Sequence, residues 1–107
     1  MIQISYEVKD GRLIHLLANG HGGLEYGKDV ICAGVSACLI GALNALEHSE
    51  NFHIDVQPGK AEVQEIKEAD RHDRIVLETL IVQLKTIADS YPQNVEMKAS
   101  LGKKGKK

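Results

Sequence analysis

The sequence predicts an α+β fold: a two-layer α/β sandwich in the order ββαββα(β), with two helices packed on one face of a mixed or antiparallel sheet. Three observations lead there. Two segments alternate apolar and polar residues around the turn dipeptides Asp10-Gly11 and Pro58-Gly59. Two longer segments, each opened by an aspartate, carry apolar residues at helical spacing. The 107 residues give room for one domain, and 43% hydrophobic with 26% charged residues are the proportions of an ordinary globular chain.

Ile2, Ile4, Tyr6 and Val8 alternate with Gln3, Ser5, Glu7 and Lys9, the period-two pattern of a strand with one buried face. Asp10-Gly11 turns the chain, and residues 12–18 supply the return strand of a hairpin. Residues 19–28 hold Gly20, Gly22, Gly23 and Gly27, a density that weakens any strand or helix and predicts a loop. Asp29 is a candidate N-cap for a largely apolar helix, with Val35, Leu39, Ala42 and Leu46 at core spacing. Gly34, Cys38, Gly41 and Ala45 form a stripe of small residues that lets another backbone approach. Phe52, Ile54 and Val56 alternate again, Pro58-Gly59 turns, and Ala61 and Val63 lie on the return arm, which ends near Ile66. A second helix starts around Asp70, with Ile75, Val76, Leu80, Leu84, Ile87 and Tyr91 giving its period and Pro92 its stop. Residues 95–98 are expected to close the sheet as a short strand.

The net charge is −2, but Lys103, Lys104, Lys106 and Lys107 sit at the end of the chain; without them nine basic residues face fifteen acidic ones, a balance of −6. An acidic body with few aromatic residues opposes a nucleic-acid-binding surface and favours a basic peptide partner. Residues 1–101 are expected to be the single domain, and residues 102–107, a Lys/Gly stretch with no apolar side chain to pack, a disordered tail. No apolar run approaches the roughly 20 residues that span a bilayer, and no signal-peptide pattern opens the chain, so a cytoplasmic protein without membrane association is expected.

Chemistry concentrates between Gly20-His21 and Ser36. A helix start exposes unpaired N–H groups and a partial positive charge, which stabilise a thiolate over a thiol, and Cys32 falls in that first turn. If His21 reaches it, the ring can take the thiol proton and return it to a leaving amine, the Cys–His logic of acyl transfer. The backbone amides of Cys32 and Ala33 are the first candidates for an oxyanion site. Asp29 has two readings, helix cap or orienting partner of His21. Ser36, one turn after Cys32, either contacts the thiol or substrate or bonds back to the carbonyl of Ile31 or Cys32. The plain alternative for Cys32 is packing, which is also the reading of mid-helix Cys38. The two thiols are separated by about 9 Å along a helix axis and cannot pair there. His15, His48, His53 and His72 show no metal-ligand spacing, so neither metal nor other cofactor is expected.

The block Gly20-His21, then Asp29-Val30-Ile31-Cys32-Ala33-Gly34-Val35-Ser36-Ala37, resembles the signature of the bacterial ribosomal-processing cysteine protease (Prp) family, a Gly-His pair followed by a loop and Asp-Ile-Val-Cys-Ala-x-Val-Ser-Ala. This chain differs in the order Val30-Ile31 and in Gly34 where alanine is usual. Length, opening hairpin and second helix extend the resemblance over essentially the whole chain. It implies a small homodimeric cysteine endopeptidase that removes the N-terminal extension of ribosomal large-subunit protein twenty-seven, cutting after a pair of aromatic residues. Carried over, Cys32 is the nucleophile and His21 the general base and acid, with Asp29 and Ser36 in supporting positions. The loop carrying Gly20, Gly22, Gly23, Tyr26 and Gly27 is expected to order over the substrate. Two other readings stand beside it: a non-catalytic homodimeric module that binds a ribosomal protein or assembly particle, and a two-thiol redox protein, which the Cys32–Cys38 spacing disfavours.

Overall fold

The computed structural model describes residues 1–21 and 29–101, and the side chains of 1–21 and 29–100. Among the described residues, five strands and two helices follow in the order β1 (Ile2–Lys9), β2 (Arg12–Gly20), α1 (Val30–Ala45), β3 (Phe52–Gln57), β4 (Lys60–Glu65), α2 (Arg71–Ser90) and β5 (Val95–Leu101), with a 3₁₀ turn at Ser49–Asn51. The sheet order is β3-β4-β2-β1-β5. All neighbours run antiparallel except β1 and β5, which run parallel, so the sheet is mixed and the predicted α+β class is borne out. No helix among the described residues is long and apolar enough to cross a membrane.

The first hairpin turns on Asp10 (φ 52°) and Gly11 (φ 76°), two left-handed residues as a two-residue turn matched to strand twist requires. Its register shifts between Glu7 and Val8: Glu7 pairs with His15 and Val8 with Leu13, leaving Ile14 as the extra residue of a β-bulge. The bulge lets Leu13 and Leu16 both point into the core although they are three positions apart, an offset that puts residues on opposite faces of a regular strand. Ile2, Ile4, Tyr6, Ala18, Val63 and Val95 share that face, and Ile31, Val35 and Leu39 of α1 with Leu77, Leu80 and Leu84 of α2 cover it. The opposite face is polar; there His15 Nε2 lies 2.7 Å from a Glu62 oxygen, a contact that lowers the Glu62 carboxyl below its ordinary range.

The structure corrects several expectations. Asn19 and Gly20 belong to β2, paired with Gln3 and Ile2, because the neighbouring strand supplies partners that outweigh the weak propensity of glycine. In α2, Ile75 and Tyr91 are exposed, while Leu77 and Ile81 carry the core. The buried stripe there begins at Asp73, a polar residue in a core position, which hides its phase from a hydrophobicity pattern. Val56 and Ile66 are likewise exposed, at the ends of their hairpin arms. Along the small-residue stripe of α1, a β-carbon on Gly34 would meet the Ile87 side chain of α2 at 3.8 Å and one on Gly41 nothing within 4 Å. The last strand runs past Lys98 to Leu101.

Candidate active site

The start of α1 is fixed by Asp29. Its Oδ1 accepts the Cys32 N–H at 2.9 Å, and its carbonyl accepts the Ala33 N–H at 3.0 Å. The capping reading of Asp29 is therefore realised in the structure. Both amides put forward as oxyanion donors are engaged by it, for two different reasons. Ala33 makes the first regular intrahelical bond, so its N–H is not among the four orphans of a helix start. Cys32 is such an orphan, and the cap satisfies it. Val30 and Ile31 hold the first-turn amides that the helix itself leaves unbonded.

Cys32 is half-buried, against the core but not within it. Cys38 is also half-buried, lies on the α2 side of α1 beside Gly41 and Ala42, and packs against the core; both thiols are free. Ser36 is exposed, and among the described residues its hydroxyl makes neither the back-bond to a carbonyl nor a bond to the thiol.

His21 follows the last residue of β2. Gly20 sits at φ +101°, where a β-carbon would collide with the Met1 carbonyl oxygen, so the strand exit accepts only glycine. The Gly20 N–H donates to the Gly59 carbonyl at 2.9 Å, tying the exit of β2 to the β3–β4 turn. His21 is exposed, and its ring lies against that turn: a β-carbon built on Gly59 would stand 3.4 Å from Nε2 and 3.6 Å from Cε1. No hydrogen bond joins His21 to Cys32 among the described residues.

A small cavity of about 80 Å³ opens between these parts. Cys32 and Ser36 line it from α1, Gly20 from β2, and Gln57, Gly59 and Lys60 from the second hairpin, over an apolar floor that includes Ala18 and Val35. The structure thus brings Cys32, Ser36 and Gly20 to one cleft, and sets His21 on the turn that forms part of its rim. Gly22, Gly23, Tyr26 and Gly27 lie outside the described residues. Sequence reasoning read Pro58-Gly59 only as a turn and did not bring the second hairpin to the site; nothing local marks a contact with a histidine so distant in the chain.

A helix-start cysteine opening on a cleft, with an exposed imidazole against a turn that lines it, on a small α+β scaffold, is the kind of arrangement thiol-dependent enzymes use. Residues 1–96 match the family described as cysteine protease Prp, and the chain belongs to that family. It is 29% identical over 103 residues to the ribosomal processing cysteine protease Prp of Staphylococcus aureus, covering 91% of this chain and 97% of that protein. The protein of the same description from Bacillus subtilis is 29% identical over 101 residues, with coverage of 86% and 90%. Among solved structures, the S. aureus essential ribosomal processing protease Prp with a covalently linked product peptide aligns with a TM-score of 0.82 at 28% identity, over 94% of this chain and all of that one. The same protease with a substrate peptide aligns at 0.79 and 26%, with the same coverage of this chain. The chain is a cysteine protease, as its signature block implied.

Proposed function

We propose that this protein removes the N-terminal extension of ribosomal large-subunit protein twenty-seven, with Cys32 as nucleophile and His21 as general base and acid. The observation that carries the reading is the cleft between α1 and the second hairpin: Cys32 lines it from the first turn of α1, and the His21 ring lies against Gly59, which lines it from the other side. The S. aureus relative was solved in complex with a covalently linked product peptide.

In the first step His21 takes the Cys32 proton, and the sulfur attacks the scissile carbonyl, whose π electrons move to oxygen. Collapse of the tetrahedral intermediate breaks the C–N bond as His21 returns the proton to the leaving amine, leaving a thioester. Water, deprotonated by the same ring, then releases the acid and regenerates the thiol. Asp29 serves by fixing the helix start that presents the sulfur. Its bond to the Cys32 amide exchanges for the developing oxyanion if that amide is a donor, with the Val30 and Ile31 amides beside it. Ser36 faces the cleft with its hydroxyl available to the peptide. The acidic balance of the body suits an extension attached to a basic mature protein. A cytoplasmic homodimer is the working form.

Incubation with a peptide spanning the extension and the first mature residues tests this. Cleavage is expected to vanish in Cys32→Ala, to fall by about 10²–10⁴ in His21→Ala, and to persist in Cys38→Ala. Cleavage that survives Cys32→Ala would overturn the assignment.

A further inference from the structure

We infer that Gly59 is a positioning residue for the general base: the bare α-carbon of the β3–β4 turn is the surface against which the His21 imidazole is held beside the Cys32 cleft. The inference rests on the proposed role of His21 and adds what fixes that ring in place.

Among the described residues the ring has no hydrogen-bond or ion-pair partner, so no polar contact orients it. Its place is set by two constraints. The backbone leading into it is tied to the turn by the bond from the Gly20 N–H to the Gly59 carbonyl at 2.9 Å. The ring itself then lies over Gly59, where a β-carbon would already stand in van der Waals contact at 3.4 Å from Nε2. An atom beyond that β-carbon would compete for the volume the imidazole fills. Gly59 also lines the cleft, so the same turn bounds the substrate space and supports the base.

The molecule contains its own control. Gly11, in the β1–β2 turn, has the same φ of 76°, but a β-carbon there would meet nothing within 4 Å. The turn conformation alone accounts for glycine at 11. At 59 the turn favours glycine for the same reason, and the ring occupies the space into which a longer side chain would extend.

The test compares Gly59→Asn with Gly11→Asn, asparagine being the side chain that best tolerates a left-handed backbone. Gly11→Asn is expected to cleave the extension peptide at the wild-type rate. Gly59→Asn is expected to lose about tenfold or more in kcat, the scale of a misplaced catalytic group, with KM unchanged. Cys32 alkylation by iodoacetamide supplies the second readout: Gly59→Asn should alter its rate and pH profile in the wild-type background and add nothing in His21→Ala. Thermal melts accompany each variant. If Gly59→Asn melts well below Gly11→Asn, the pair Gly59→Ala and Gly11→Ala makes the same comparison with only the contacting β-carbon added. Equal effects at 11 and 59, or a Gly59 effect that persists without the His21 ring, would overturn the inference while leaving the proposed function intact. Full cleavage by His21→Ala would instead remove the base assignment on which the inference stands.

Discussion

Both ends of α1 are held by an aspartate that accepts backbone N–H groups, yet the two carboxylates sit in opposite surroundings. At the N-terminal end Asp29 is half-buried and bonds the Cys32 amide, three residues along its own segment. Just past the C-terminal end, Asp73 of α2 is fully buried, and its two oxygens accept the amides of Glu47 and His48 at 2.9 and 3.0 Å. His72 adds a bond from its Nε2–H to the Ala45 carbonyl at 3.0 Å. One end is a local contact beside a cleft; the other is a long-range joint between helices. The difference teaches that similar chemistry fixes structure permanently when it is dry and spans distant segments, and stays exchangeable when it is local and near water.

The largest effect is expected at the buried joint. Asp73→Ala removes the acceptor of two amides and should cost about 3 kcal/mol, seen as a markedly lower urea midpoint at unchanged slope. A loss no larger than an exposed cap gives would break the contrast. Asp29→Ala should cost about 1 kcal/mol, the usual value of an N-cap, with faster hydrogen exchange confined to the first turn of α1. Asp29→Ser keeps a capping oxygen and sharpens the point: if the peptide is cleaved by Asp29→Ser but not by Asp29→Ala, the residue acts through the helix start rather than through His21. The smallest effect is a pH dependence at the joint. The His48 imidazole is raised above its ordinary value of 6.5, chiefly by its hydrogen bond with Glu50. His72 is raised above the same value, chiefly by the Ala45 carbonyl. In both cases the folded protein holds its proton more tightly, so their stabilisation is complete below about pH 6.5 and lost as pH rises through the raised values. The melting temperature should drift down over that window in wild type, and the drift should flatten in the double variant His48→Gln, His72→Gln.

Local regularities carried most of the architecture into the sequence. Strict alternation marked β1, Asp10-Gly11 marked its turn, and the capping preference of aspartate marked the start of α1 at Asp29, all because the interactions concerned span few residues. What stayed hidden depends on distant partners. The burial of Asp73 rests on amides contributed from the far side of α1, and without them a charged residue has no place in a core stripe. The inclusion of Gly20 in β2 rests on Ile2, and the parallel pairing of β5 with β1 joins the two ends of the sequence. At the site, Cys32, Ser36 and Asp29 were legible because one helix start holds them. The second hairpin, which brings Gln57 and Gly59 to the cleft, was not.

The position of β1 has a consequence for how the enzyme comes into being. β1 has β2 on one flank and β5, whose register begins at Val95, on the other. A ribosome-bound chain that has not reached that point exposes a strand edge beside Ile2, the residue that also underlies the cleft. Closing the sheet across β1 is therefore a non-local event, since it joins segments about ninety residues apart.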